Sequence, residues 1–232
     1  MKLAIFAGPS ASGKTTVIKR AIGGLLARNG KPAYLKIDVQ YADEDAIIAS
    51  LFSIPARKIH SGDLCPDHCG VLVLGEAVKW AEKSGAQILI VETAGLCLRC
   101  APYIEGALGV ATLEATSGMS LPRKIGPMLS LADIAVVTKI DLVSQAEREV
   151  FRAGVEEAAR VEVIETDALR GINIERLVRR IESSPQISPP LKLKGSPPLG
   201  VCTICVGKKD IGWESHFGLV RSLETDIFYR GE

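Results

Sequence analysis

The sequence lacks an excess of charge of either sign: 28 Lys and Arg stand against 27 Asp and Glu, a formal net charge of +1. That balance excludes a general nucleic-acid binder and a strongly charged membrane-surface protein. It also lacks any apolar run near the roughly 20 residues a membrane span requires. The first residues, MKLAIFAGPSASGKTT, pass from a short apolar stretch straight into a glycine-rich loop, leaving no room for a signal peptide. A cytoplasmic location is the expectation. There is no internal repeat, and no need of disulfide staples: 232 residues bury roughly 70–75% of their unfolded surface. With 47% hydrophobic and 24% charged residues, wholesale disorder is excluded as well.

Cysteine is scarce but not scattered. All six fall in close pairs, Cys65 with Cys69, Cys97 with Cys100 and Cys202 with Cys205. In a reducing compartment such pairs are more often metal or redox sites than structural bridges.

Along the chain, strand-like apolar runs alternate with helical periodicity. Strands are expected at 3–7, 33–38, 87–92, 109–114, 134–138 and 161–165, and helices over 14–28, 70–83, 144–160 and 173–182. Continuous apolar strands separated by helices predict an α/β fold, a mostly parallel sheet covered on both faces. The expected organisation is a P-loop nucleotide-binding domain over 1–182. A Pro- and Ser-rich linker follows over 183–198, then a short extension over 199–232 that carries Cys202 and Cys205.

Residues 8–15, GPSASGKT, fit the phosphate-binding pattern G-x-x-x-x-G-K-[ST] between a strand and a helix. Gly8 and Gly13 let the backbone curl so that N–H groups from Ser10 to Thr16, Ser12 among them, can face phosphate oxygens. Lys14 reaches the β and γ phosphates and Thr15 ligates Mg²⁺. The plain alternative is a chance glycine-rich turn, which the strand–loop–helix context disfavours.

Thr138-Lys139-Ile140-Asp141 fits [NT]-K-x-D, a guanine-reading pattern. The Asp141 carboxylate can accept from the guanine N1–H and 2-amino group, and adenine offers neither donor. Lys139 would lie along the base. Ala168, after the next strand, stands where backbone N–H groups would approach the guanine O6. A solvated turn is the bland alternative for TKID. Asp38, ending the second strand, and Glu92, ending the third apolar run, are candidates for the Mg²⁺ water shell or the attacking water. In the E-x-x-G run that Glu92 opens, the Gly95 N–H would sense the γ-phosphate.

With GPSASGKT, KIDVQYADEDA (36–46), CPDHC (65–69), IVETAG (90–95), ATSGMSLPRKIGPM (115–128) and VVTKIDL (136–142) in order, residues 1–180 resemble the HypB/UreG group of metalloenzyme-maturation GTPases. The hydrogenase branch is the nearest, through Leu121–Met128. The resemblance implies GTP binding with Mg²⁺, slow hydrolysis, and a homodimer with its switches near the interface. It also implies transfer of a transition metal, nickel foremost, to a client metalloenzyme or a second metallochaperone. It places Lys14, Thr15, Asp38, Glu92, Lys139 and Asp141 on the family's nucleotide and Mg²⁺ positions.

Thiolate and imidazole suit Zn, Ni, Cu(I) or iron–sulfur chemistry rather than Mg²⁺, so Cys65, His68 and Cys69 are candidate transition-metal ligands. Two or three ligands under-fill a shell, and a twofold dimer can complete it. The alternative is a buried reduced pair at the start of the next helix. Cys97 and Cys100, just after Gly95, would move with the γ-phosphate sensor if they hold the metal; otherwise they are an inert pair. Cys202 and Cys205 read as half a zinc knuckle, half a cluster site or a redox dithiol. Two other functions stay open: a P-loop small-molecule kinase, against which TKID argues, and an iron–sulfur scaffold whose fold the nucleotide merely locks.

Overall fold

A computed structural model describes residues 1–39, 43–61, 65–94, 103–195, 209–212, 218–221 and 228–231. The elements run β1 (Lys2–Ala7), α1 (Lys14–Ala27), β2 (Pro32–Asp38), α2 (Glu44–Phe52), β3 (Ala56–His60), α3 (Pro66–Lys83), β4 (Ile88–Thr93) and β5 (Leu108–Glu114). They continue with α4 (Leu121–Lys124), α5 (Gly126–Leu131), β6 (Ile134–Thr138), α6 (Gln145–Ala158), β7 (Glu162–Glu165), α7 (Ile174–Glu182), β8 (Gly218–Arg221) and β9 (Phe228–Gly231).

Strands β1 to β7 form one sheet in the order β3-β2-β4-β1-β5-β6-β7, and every pairing is parallel. Strands β8 and β9 pair antiparallel as a separate ribbon. Side chains alternate across the sheet with period two. Leu3, Ile5, Leu35, Leu89 and Val91 face α3, while Ala4, Phe6, Tyr34, Ile88 and Ile90 face α1 and α7. Both faces are covered, so the strands read as unbroken apolar runs. β1 lies at the centre, where the chain order reverses. In open parallel sheets the cleft beyond the strand ends at such a point is where ligands bind.

The seven-stranded parallel sheet bears out the expected fold class. One local reading needs correction, and three further stretches fold into elements outside the expected set. The expected helix over 70–83 begins at Pro66, so CPDHC forms the N-cap and first turn of α3. Proline at the first helical position loses no hydrogen bond, and Asp67 complements the positive end of the helix. The strand β3 and helix α2 were not foreseen. β3 is an edge strand, ARKIH, whose side chains are mostly half-buried, so it carries no continuous apolar run. The 115–131 stretch folds into a 3₁₀ turn and the short helices α4 and α5.

Ser144 and Glu147 form the reciprocal capping box at the start of α6. The Pro-rich stretch after α7 lies back on the domain: the Ile187 N–H donates to the Met1 carbonyl at 3.0 Å, and Ile187 and Leu193 are buried against the α3 side. Residues 196–208, with Cys202 and Cys205, lie outside the described residues.

Candidate functional site

The C-terminal ends of β1, β2, β4 and β6 meet beside the N-terminus of α1. Gly8 opens the loop there because no side chain fits: a Cβ would stand 2.1 Å from the Thr112 carbonyl oxygen of β5. Gly13, at φ 85°, supplies the left-handed turn into α1 and leaves that helix start without a side-chain cap. The first-turn N–H groups of α1 are thus available to an anion. The Thr138 hydroxyl, from β6, donates to the Ser12 carbonyl at 2.7 Å and pins the loop to the strand that leads into TKID.

The cleft so formed has a volume of about 420 Å³. Of the residues expected at the phosphates, Ser10, Ser12, Gly13, Lys14, Thr15 and Thr16 line it, together with Asp38, Glu92 and Lys139. The Lys14 ammonium donates to the carbonyls of Gly8 at 3.0 Å and Pro9 at 2.8 Å. Burial pulls its pKa down to about 8, with Glu92 opposing and Lys36 adding to the fall. A phosphate placed there meets a partly desolvated cation, the setting in which charge-assisted hydrogen bonds are strongest.

Glu92 is the hub of the cleft floor. It is buried, and its Oε1 accepts from the Thr15 hydroxyl at 2.7 Å and from the Lys36 ammonium at 2.7 Å. Its Oε2 accepts from the Tyr34 hydroxyl at 2.8 Å. The register makes this arrangement: Lys36 of β2 is the direct cross-strand neighbour of Glu92 on β4, with Tyr34 beside Ile90 one pleat earlier. Lys36 also lies 3.5 Å from Asp38 and 3.8 Å from Glu44. Burial alone would depress the Lys36 pKa, but the charge and hydrogen bond of Glu92, then Glu44 and Asp38, outweigh it and raise it.

Lys36, Tyr34 and Glu44 are the site residues that the sequence reading missed. One signal was there. A lysine inside a strand buried on both faces has to be paired, because long cations are almost never fully buried otherwise.

The oxygen donors Thr15, Asp38 and Glu92 are hard ligands of the kind Mg²⁺ uses, and one Glu44 oxygen, Oε2, is buried without a hydrogen bond. Among the described residues, no three His, Cys, Asp or Glu side chains converge on one point as a ready metal cage. Mg²⁺ in nucleotide sites is commonly held by one or two carboxylates with phosphates and waters, so the donor set fits.

On the base side, Lys139 takes a left-handed conformation, φ 56°, and its ammonium pairs with Glu114. Asp141 sits in the 3₁₀ turn that follows and pairs with Arg170 at 3.2 Å. Arg170 also holds Asp167 at 2.6 Å. Arg20 of α1 donates to the Ala168 carbonyl at 2.8 Å, clamping the loop after β7. Lys139 borders the phosphate cleft, whereas Asp141 and Ala168 lie outside its lining.

The first cysteine pair occupies one turn at the start of α3. Cys65 is half-buried, and His68 and Cys69 are buried. Burial, with Cys65 close by, pushes the Cys69 thiol up to about 12. In this arrangement it is a neutral thiol, and ligation would require loss of its proton. Burial pushes the Tyr103 hydroxyl up, with Asp67 of the same turn and Asp133 adding to the rise. Gly95, Cys97 and Cys100 lie outside the described residues. Among the described residues no helix is long and apolar enough to cross a membrane.

Comparison with known proteins bears on this geometry. Residues 2–164 match the model of the CobW/HypB/UreG nucleotide-binding domain. The chain is 41% identical, over 235 residues and 100% of both proteins, to the uncharacterized protein MJ0120 of Methanocaldococcus jannaschii. It is 29% identical over 195 residues to the urease accessory protein UreG 2 of Streptomyces griseus, covering 76% of this chain and 84% of that one. Among solved structures it is similar to HypB from Archaeoglobus fulgidus, with a TM-score of 0.64 at 23% identity over 78% of this chain and 89% of that one. HypB from Helicobacter pylori, in complex with nickel, gives 0.63 at 19% identity over 81% and 91%. At those identities the two structures establish the P-loop fold.

Proposed function

Because the chain belongs to the CobW/HypB/UreG nucleotide-binding family, we propose that it is a GTP-hydrolysing metallochaperone that takes up a transition metal and releases it during maturation of a metalloenzyme. The observation that carries this reading is the convergence of the Lys14 loop, Thr15, Asp38 and Glu92 in one cleft.

In this reading Lys14 and the first-turn N–H groups of α1 bind the phosphates, and Asp141 and Lys139 select guanine, with Ala168 near its O6. Thr15, with Asp38 and Glu92 behind it, would hold Mg²⁺, which when bound neutralises charge on the phosphates. Asp38 or Glu92 orients the attacking water, and the Gly95 N–H registers the γ-phosphate. Nickel is the first candidate for the cargo, because HypB from Helicobacter pylori is in complex with nickel. Zinc and an iron–sulfur cluster are the other thiolate-compatible cargoes. Cys65, His68 and Cys69 are the proposed ligands, supplemented by Cys97 and Cys100 or by a second copy of the chain. Cys202 and Cys205 are a separate candidate pair. A homodimer acting in the cytoplasm on a client enzyme or a second metallochaperone completes the proposal.

Nucleotide selectivity of the purified protein tests it. GTP is expected to bind at least about a hundredfold more tightly than ATP, since adenine leaves the base-reading carboxylate unpaired. Slow GTP hydrolysis dependent on Mg²⁺ should accompany it. Equal binding of ATP and GTP would return the site to the small-molecule kinase reading.

A further inference from the structure

We propose that Lys36 is a built-in counter-ion that competes with the divalent cation for Glu92 and Asp38, and so sets a weak Mg²⁺ affinity in the nucleotide complex. This rests on the Mg²⁺-nucleotide reading of the cleft.

Three carboxylates lie within 4 Å of the Lys36 ammonium: Glu92 at 2.7 Å, Asp38 at 3.5 Å and Glu44 at 3.8 Å. Lys36 and Glu92 are both almost wholly buried, so water screens little of the interaction. The ammonium is not a wandering surface group. It comes from the strand position directly across from Glu92, and the sheet register fixes it there.

Glu92 Oε1 already accepts two hydrogen bonds, from Lys36 and Thr15. The Thr15 hydroxyl spends its one proton on Glu92 and keeps its lone pairs for a cation. The Thr15 contact is therefore compatible with metal ligation. The Lys36 contact is not: an ammonium and a dication attracted to the same carboxylates repel one another at close range. Lys14, also buried, is anchored on the Gly8 and Pro9 carbonyls and does not substitute for Lys36 beside Glu92. Divalent-cation binding must therefore displace Lys36 or tolerate its charge, and either one weakens it.

The test is a titration of Mn²⁺ into the protein–GDP complex, with free Mn²⁺ followed by electron paramagnetic resonance. The Lys36→Met complex is expected to bind Mn²⁺ roughly tenfold or more tightly than the unaltered complex. Lys36→Arg, which keeps the charge, should stay near the unaltered value. Unchanged or weaker Mn²⁺ binding in Lys36→Met, with GDP binding intact, overturns the inference and leaves the GTPase reading standing. Absence of any GDP-dependent Mn²⁺ site in the unaltered protein overturns both. Should Lys36→Met not fold, the unaltered GDP complex decides. The side-chain ¹⁵N resonance of Lys36 should shift as Mg²⁺ is added, and a resonance that stays in place at saturating Mg²⁺ refutes the competition.

Discussion

Replacing Asp141 by Asn is expected to weaken GTP and GDP by on the order of 10³-fold or more and to favour xanthosine nucleotides instead. A carboxylate offers two acceptors to the guanine N1–H and 2-amino group. An amide offers one acceptor and one donor, so its N–H group would face the 2-amino donor. Xanthine carries an oxygen at that position and restores the match. The ion pair of Asp141 with Arg170 is also lost, but Arg170 is two-thirds exposed. Such pairs contribute at most about 1 kcal/mol, less than tenfold in affinity. A larger loss therefore belongs to base recognition. Calorimetric titration with GDP and with xanthosine diphosphate separates the two, and unchanged GDP affinity would remove TKID from the nucleotide site.

Glu92→Gln is expected to act twice. Hydrolysis should fall by about 10²–10³-fold, the usual consequence of removing one group that stabilises charge or orients water at the reacting phosphate. Stability should fall as well, because the substitution leaves the buried Lys36 charge facing an amide. Breaking one partner of a buried pair costs about 3–5 kcal/mol. Asp38 and Glu44 stay beside Lys36 and hold the loss to the lower end of that range. For a chain of this size that corresponds to roughly 6–12 °C in Tm. Single-turnover hydrolysis and a thermal melt on the same preparation check both effects. Hydrolysis at the unaltered rate would exclude Glu92 from catalysis, and an unchanged Tm would show that its ion pair with Lys36 adds no stability.

That double role marks where sequence reading reaches its limit. The P-loop, the guanine pattern and the acidic strand ends are local strings, and their contexts are local as well, so Lys14, Thr15, Asp38 and Glu92 were legible before any coordinates. Their convergence in one cleft follows from a parallel sheet with its strand ends at a single edge. Lys36 and Tyr34 were not legible as site residues because their role depends on register. Only the pairing of β2 with β4 shows that Lys36 faces Glu92 rather than an apolar helix face. β3 escaped notice because an edge strand buries little and so needs no apolar run. The cysteine turn was legible in the alternative reading, a buried pair at the start of the next helix, but not in its start at Pro66. Pro66 starts a helix there, which buries His68 and Cys69 in its first turn.

In the proposed function, nucleotide state and metal binding are coupled in one molecule. The motivation lies along the chain, where Cys97 follows Gly95, the proposed γ-phosphate sensor, by two residues. The most direct measurement is a Ni²⁺ titration of the protein loaded with GDP, repeated with a non-hydrolysable GTP analogue. The two affinities are expected to differ by about 5–150-fold, and saturating Ni²⁺ should shift the relative affinity for the two nucleotides by the same factor, as linkage requires. Cys65→Ser should lower the Ni²⁺ affinity in both states. Equal Ni²⁺ affinity in the GDP and GTP-analogue complexes would contradict the account and leave a nucleotide hydrolase with an uncoupled metal site.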